Sequence, residues 1–144
     1  MSKEPHCDAS GNERLSFDDP RMPMRVYPIN RIIFYVRDIP KIAAFYEKHF
    51  GFRAITSEAK DKITLLPSLG GCALVLLQAS KGHKIGQSCV KLVFDVDDVS
   101  AAIAEQLKLG LAFGPIHKGP GYEFSNVRDP AKNLIQLSTA HLTL

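Results

Sequence analysis

The stretch "KLVFDVDDVSAAI", from Lys91 to Ile103, repeats an earlier stretch of the same chain. Sixty residues before it the sequence reads "RIIFYVRDIPKIA", from Arg31 to Ala43. When the two stretches are aligned, apolar residues match apolar residues, an aspartate follows each apolar run at the same distance, and a basic residue begins each copy. Such a repeat predicts two copies of one supersecondary unit, neither of which can bury its apolar surface alone.

Each copy begins with a continuous run of β-branched and aromatic residues, which predicts a strand covered on both faces. Asp38 and Asp98 follow these runs, and we expect each to cap a helix. Apolar residues at helical spacing come next, and Gly51 and Gly110 are expected to end the two helices. Three further strand-like runs complete each copy: "FRAITS", "KITLLP" and "CALVLLQA" in the first, and "LAFGPI", "GYEFSNV" and "NLIQLST" in the second.

The sequence therefore predicts an α+β fold of two tandem βαβββ modules. Module 1 covers about residues 29–79, a polar linker covers 80–87, and module 2 covers about residues 88–139. Residues 1–24 are polar, contain three prolines and show no periodicity, so we expect a disordered N-terminal arm ahead of a domain at 25–144. The helix of each module covers one sheet face, and pairing the modules leaves a concave space between the two bare faces.

Composition and charge argue against several classes of protein. The net charge is +3, of which residues 1–24 contribute −2 and the remaining 120 residues +5, and the basic residues form no stripe typical of a nucleic-acid binder. No apolar run approaches the ~20 residues that cross a membrane. The N-terminus lacks the apolar core of a secretory signal, which predicts a cytoplasmic protein. Cys72 and Cys89 lie beside apolar runs without CxxC spacing, and we expect both to be buried, reduced thiols.

The repeat, together with "FYEKHFGF" after the first helix and "NVRDPAKNLIQLS" near the C-terminus, resembles the vicinal oxygen chelate superfamily. This superfamily contains glyoxalases, bleomycin-resistance proteins, fosfomycin-modifying enzymes and extradiol dioxygenases. The resemblance covers residues 29–139 and implies that the eight strands of the two modules curve into a cup. In this superfamily a second chain often completes the cup, so the resemblance also implies a homodimer.

The resemblance further implies where a metal would bind in metal-using members. Their ligands, usually His and Glu, stand at the head of each module's first strand and in each module's last strand. Here the first-strand positions are Arg31 and Lys91, the module 2 last-strand position is Gln136, and the module 1 counterpart is Val75 or Leu77. Arginine has no lone pair for a metal, and two cations repel a divalent ion. We therefore expect no metal at these positions, and no other cofactor.

Strand alternation predicts which side chains line the cup in place of metal ligands. The expected ligand-binding residues combine two cations, an amide and aromatic rings: Arg31, Tyr35, Lys91, Tyr122, Phe124 and Gln136. Such a pocket suits a small anionic or aromatic ligand. In the alternative interpretation, Arg31 and Lys91 pair with Asp95, Glu123 or a partner chain and merely fill a vestigial cavity.

The sequence thus predicts a metal-free small-molecule-binding protein of the glyoxalase/bleomycin-resistance type, with no nucleic-acid or membrane partner. The competing hypothesis is an enzyme, a lyase or isomerase of the glyoxalase-like family. It would use a displaced metal, or metal-free acid/base chemistry by Lys91 or Tyr35. A third hypothesis is a ferredoxin-like regulatory module without a ligand, and the sixty-residue repeat counts against it.

Overall fold

The computed structural model describes residues 6–7, 11, 13–21, 29–56, 61–87 and 89–142 of the chain. Two short strands come first: β1 (His6–Cys7) and β2 (Glu13–Arg14). Module 1 contains β3 (Arg31–Val36), α1 (Ile39–Phe50), β4 (Arg53–Thr56), β5 (Lys62–Leu66) and β6 (Ala73–Gln78). Module 2 contains β7 (Lys91–Asp95), α2 (Val99–Lys108), β8 (His117–Gly119), β9 (Tyr122–Arg128) and β10 (Leu134–Ser138), and a 3₁₀ turn (Ala140–Leu142) follows.

Each module forms its own four-stranded sheet, with strand orders β3-β6-β5-β4 and β7-β10-β9-β8. In both sheets the first strand of the module pairs in parallel with the last, and the other pairs are antiparallel. The registers also match, because Arg31 lies opposite Ala73 and Lys91 lies opposite Leu134. The predicted α+β fold of two βαβββ modules is confirmed, whereas the curvature of both sheets into one cup stays a prediction.

The two helices begin in the same way, as the repeat predicts. The Asp38 side chain accepts a hydrogen bond from the Lys41 amide at 3.1 Å, and the Asp98 side chain accepts one from the Ala101 amide at 3.0 Å. Each bond satisfies an amide that the helix itself leaves unpaired. Helix α1 ends at Gly51, whose φ of +68° lies in the left-handed region that glycine enters without steric cost.

The hydrophobic core lies between α1, the first sheet and the inner face of the second sheet. Its most buried members come from both modules: Val36, Ile42, Tyr46, Leu65, Leu74, Leu76 and Ile135. At the junction, Phe50 of α1 stacks on Phe94 of β7 with ring centroids 4.2 Å apart. The modules therefore share one core, as expected for units that cannot bury their apolar surface separately.

A buried hydrogen-bond network joins α1 to the turn before β10. Asp129, 4% exposed, accepts hydrogen bonds from the Tyr46 hydroxyl at 2.7 Å, the Ala131 and Asn133 amides, and the Asn133 side chain. Burial, followed by the charge of Asp129, raises the pKa of Tyr46, so its hydroxyl keeps the proton that it donates. The network couples the position of the module 2 turn to the module 1 helix.

Two local predictions are wrong. Residues 111–116, "LAFGPI", form no strand, and β8 begins at His117 instead. Pro115 lacks an N–H for a strand ladder. Gly114 contacts β9 through two bonds, since its amide donates to the Asn126 carbonyl at 2.9 Å and its carbonyl accepts from the Ser125 hydroxyl at 2.8 Å. Cys89 is exposed rather than buried, because it precedes β7 instead of lying within it, and Cys72 is only half-buried.

Part of the N-terminal arm has local structure. Strands β1 and β2 pair antiparallel, and the Arg21 guanidinium contacts the carboxylates of Glu13 at 2.8 Å and Asp19 at 2.7 Å. Residues 1–5, 8–10, 12 and 22–28 lie outside the described residues. The disordered arm at 1–24 and the domain limits therefore stay predictions. Among the described residues, no helix has the length and apolarity needed to cross a membrane.

Candidate functional site

One face of each sheet packs on the core, and the other face is open. In β3, Phe34 and Val36 are buried, whereas Ile33 and Tyr35 are 48% and 46% exposed. In β7, Val93 is 53% exposed. Clusters of large apolar side chains on an open sheet face are typical of surfaces that bind a ligand or a partner. The open faces of the two sheets are therefore the candidate functional surfaces.

The open face of the first sheet includes side chains from all four strands, and the part formed by β3, β6 and β5 is called the module 1 face below. Arg53 and Ile55 of β4 lie beside this part. Its members are Arg31, Ile33, Tyr35, Ala73, Val75, Leu77, Lys62 and Thr64. All of them except Tyr35 line a cavity of about 690 Å³, whose floor is apolar and whose charged side chains are Arg31 and Lys62. Within the described ranges, no carboxylate lies within salt-bridge distance of either cation.

Tyr35 lies at the far end of the module 1 face, where the linker covers it. Its ring stacks on His83 with centroids 4.2 Å apart. His83 is held in place because its Nδ1 accepts the Ser80 amide at 2.8 Å, while Arg37 donates to the carbonyls of Ser80 and His83. Tyr35 therefore lines a separate cavity of about 420 Å³ with the linker, and not the cavity that Arg31 lines.

The open face of the second sheet, called the module 2 face, consists of side chains from β7, β10 and β9. Its members are Lys91, Val93, Asp95, Leu134, Gln136, Ser138, Tyr122, Phe124, Asn126 and Arg128. Gln136 donates a hydrogen bond to Asn126 Oδ1 at 3.0 Å. Phe124 lies 5.9 Å from Tyr122 and stacks on His117 at 5.2 Å, measured between ring centroids. This face therefore offers amide and aromatic contacts where the module 1 face is aliphatic.

A carboxylate on the module 2 face lies near a histidine and does not pair with the site cations. His141 Nδ1 lies 3.8 Å from Asp95 Oδ1, which is too far for a hydrogen bond. Among the residues that the structure describes, Arg31 and Lys91 form no salt bridge with Asp95 or Glu123. The single chain thus gives no support to the interpretation in which these carboxylates neutralise the cations.

The strand registers identify the fourth position of the metal-ligand set. Gln136 lies opposite Val93 in the second sheet, and Val75 lies opposite Ile33 in the first. Ile33 and Val93 are equivalent residues of the repeat. Val75, rather than Leu77, is therefore the module 1 counterpart of Gln136.

These four positions do not suit a divalent metal. Arg31, Val75, Lys91 and Gln136 together provide two cations, a hydrocarbon and one neutral amide oxygen. Divalent metals in proteins are held by carboxylate, imidazole or thiolate groups. In the described part of the chain, no group of three or more His, Cys, Asp or Glu side chains is arranged to hold a metal elsewhere.

The six predicted site residues are divided between the two faces. Lys91, Tyr122, Phe124 and Gln136 lie on the module 2 face, whereas Arg31 lies on the module 1 face with Tyr35 at its edge. Four side chains at these surfaces were not predicted from the sequence: Lys62, Thr64, Asn126 and His117. Period-two counting along β5 and β9 would have found the first three, because they alternate with inward residues. His117 lies outside the segment predicted as a strand.

Comparison with known proteins identifies the family of this fold. The model of the Glyoxalase/Bleomycin resistance protein/Dioxygenase superfamily matches residues 28–137. No protein of curated function matches the chain. This match confirms the family that the repeated sequence resembles.

Solved structures share the same fold. One of them is TnmS3, an antibiotic binding protein from Streptomyces sp. CB03234, which matches with a TM-score of 0.67 at 23% identity. The match covers 79% of this chain and 96% of TnmS3. An integron cassette protein of V. cholerae matches with a TM-score of 0.61 at 27% identity. The match covers 81% of this chain and 98% of the cassette protein. A lactoylglutathione lyase from Agrobacterium tumefaciens matches with a TM-score of 0.64 at 20% identity. The match covers 82% of this chain and 97% of the lyase.

Proposed function

The chain belongs to the glyoxalase/bleomycin resistance protein/dioxygenase superfamily, and we propose that it is a small-molecule-binding protein of the bleomycin-resistance type. Its ligand is anionic or aromatic and binds to the open sheet faces without a metal at the family's ligand positions. The observation that carries the proposal is the presence, on open and partly apolar sheet faces, of cations that form no salt bridge with any described residue. These cations are Arg31 and Lys62 on one face and Lys91 on the other.

Within the described residues, no carboxylate forms a salt bridge with Arg31, Lys62 or Lys91. A cation next to apolar side chains becomes costly once water is displaced, unless an opposite charge accompanies it. An anionic ligand supplies that charge through charge-assisted hydrogen bonds, while its apolar part covers Ile33 or Val93. On the module 2 face, Tyr122 and Phe124 offer rings against which a flat ligand can stack. The structural similarity to TnmS3, an antibiotic binding protein, supports a small-molecule ligand.

We propose further that two copies of the chain associate and enclose the ligand between them. Ile33, Tyr35 and Val93 are each about half-exposed in the single chain. A partner that places its own sheet face over them would remove this apolar surface from water, at a gain of roughly 25 cal/mol per Å² buried. The module 1 face of one chain would then form one wall of the pocket and the module 2 face of its partner the other.

Native mass spectrometry of protein isolated from its own cells tests the proposal, because it reports ligand, metal and oligomeric state together. We expect a dimer that carries a small molecule and no stoichiometric metal. A thermal-shift screen of anionic, neutral and cationic aromatic and aliphatic compounds complements it, with stabilisation expected among the anions. One metal per chain whose removal abolishes a lyase activity would contradict the proposal, as would a screen in which no compound stabilises the protein.

A further inference from the structure

We propose that the module 1 face binds an elongated dianion with an apolar middle, of the class of long-chain dicarboxylates. One acid group would lie at Arg31 and the other at Lys62. This inference rests on the proposed function, because it names the ligand class for part of the same site. It is carried by the positions of two cations that the registers place at opposite corners of one apolar floor.

The strand registers give the separation of the two cations. Strand β6 lies between β3 and β5, and Lys62 lies opposite Leu77, which lies opposite Tyr35. Arg31 is four residues from Tyr35 along β3. With ordinary strand spacing and rise, the Cα atoms of Arg31 and Lys62 are about 17 Å apart. Both side chains are long and exposed, so their charged groups can fold over the floor toward each other.

The floor between the cations is apolar. Ile33, Val75 and Leu77 form it, and Thr64 adds a hydroxyl beside Val75. This surface suits a hydrocarbon chain and gives a polar middle few partners.

The charge of this cavity distinguishes it from a cavity on module 2. Among described residues, its lining contains two cations and no carboxylate. The cavity of about 590 Å³ near the C-terminal turn is lined by three carboxylates, those of Asp97, Asp98 and Glu123, and one cation, Lys118. Anions are therefore attracted to the first cavity and repelled by the second.

Two cations select two acid groups over one. A monocarboxylate that bonds to Arg31 lays its hydrocarbon end near Lys62 and strips water from an ammonium that gains no partner. A dicarboxylate of the same length gives each cation an acceptor. Arg31 can hold its carboxylate through two parallel N–H bonds, and Lys62 can hold the other as a point charge.

Isothermal titration of the intact protein with decanedioate and with decanoate tests this inference. We expect decanedioate to bind at least about tenfold more tightly, a difference that corresponds to one additional charge-assisted contact. Lys62→Met and Arg31→Met should each abolish the preference and leave the two probes with similar affinities. Lys62→Arg should keep the preference, because it retains the charge.

The control is Lys48→Met, which removes an exposed cation from α1, outside the module 1 face, and should leave both affinities unchanged. Equal binding of the two probes to the native protein overturns the inference, and so does a preference that survives Lys62→Met. The absence of decanedioate binding also overturns it. The proposed function fails separately, when no compound of the wider thermal-shift screen binds or when native mass spectrometry finds one metal per chain whose removal abolishes a lyase activity. A Lys62→Met variant that changes the dimer dissociation constant but not the probe preference would identify Lys62 as an interface residue and likewise overturn the inference.

Discussion

The two modules have the same strand order and register, yet they place their apolar side chains differently. Helix α1 buries Ile39, Ile42, Ala43 and Tyr46, whereas α2 buries Val99 alone. The open faces differ as well, since the module 1 face combines two cations with an aliphatic floor, whereas the module 2 face combines Lys91 and Arg128 with amides, rings and a carboxylate. The repeated pattern therefore determines the backbone, and side chains that differ between the copies determine the core and the site.

The largest expected effect on stability comes from changing the turn that precedes the last strand of a module. Asp129→Ala would leave the donors of Tyr46, Ala131 and Asn133 without an acceptor inside the protein. We expect the free energy of unfolding to fall by about 3–5 kcal/mol, because each buried unpaired donor carries a desolvation cost. Urea denaturation followed by circular dichroism measures the change.

The matched variant lies in the equivalent turn of module 1. Leu69 is fully exposed there, and Leu69→Ala should change the unfolding free energy by less than about 0.5 kcal/mol. If Asp129→Ala costs less than about 1 kcal/mol, the buried network does not join the modules and the contrast between the turns is lost.

The sequence predicts the shared features of the modules better than their differences. The caps at Asp38 and Asp98 and the period-two alternation of β3 follow from local rules, because a helix start and a strand face depend on few neighbours. The partner of Asp129 was not predictable, since Tyr46 lies 83 residues away and is brought near by tertiary packing.

The site was predictable only in part for a related reason. Alternation identifies side chains that share a strand face, as with Arg31 on β3. It does not show that the linker would cover Tyr35, or that Lys62 would share a cavity with Arg31, because both depend on which strands become neighbours. Burial of Cys89 was predicted from apolar neighbours in sequence, although the strand begins only at Lys91.

The next largest effect is expected on ligand affinity, when the equivalent cations of the two faces are replaced. Arg31→Met and Lys91→Met should each weaken binding of a ligand from the thermal-shift screen by about 1.5–3 kcal/mol, the range for a hydrogen bond to a charged group. The melting temperature should stay unchanged, because both side chains are exposed in the chain. Calorimetric titration and a thermal melt of each variant give the two values, with Lys48→Met as the control.

Two outcomes would alter the comparison. If only one variant loses affinity, the ligand binds to one module face rather than between two. If the melting temperature falls while affinity is unchanged, the cations serve structure, and Arg31 and Lys91 leave the binding site.

A smaller effect on stability is expected from removing the helix caps, and it shows whether the two caps stabilise the protein equally. Asp38→Ala and Asp98→Ala each remove one capping hydrogen bond, and the two bonds have nearly the same length, 3.1 and 3.0 Å. Each should lower the unfolding free energy by about 1 kcal/mol. Asn substitutions keep a capping oxygen and serve as controls in the same denaturation experiment. A difference above about 1 kcal/mol between the alanine variants would show that the cap counts for more where the helix is more deeply buried.

The smallest effect concerns the arm that precedes module 1 and has no equivalent before module 2. The Arg21 side chain donates to Asp19 at 2.7 and 3.0 Å, and its amide donates at 2.8 Å. These bonds lower the pKa of Asp19 to about 2. Because the folded pKa is depressed, the contact stabilises the local structure above the ordinary pKa of about 3.9 and is lost as the pH falls toward 2.

Carboxyl chemical shifts followed by NMR between pH 1.5 and about 6 measure this titration. We expect the Asp19 midpoint near pH 2 in the native chain and its return to about 3.9 in Arg21→Gln. Global stability should be unaffected, because the bonds described for Arg21 and Asp19 stay within the arm and neither residue belongs to the shared core. A native midpoint near 3.9 would mean that Arg21 does not hold the carboxylate in solution. The prediction of a disordered arm would then be favoured over the contact that Arg21 forms with Asp19.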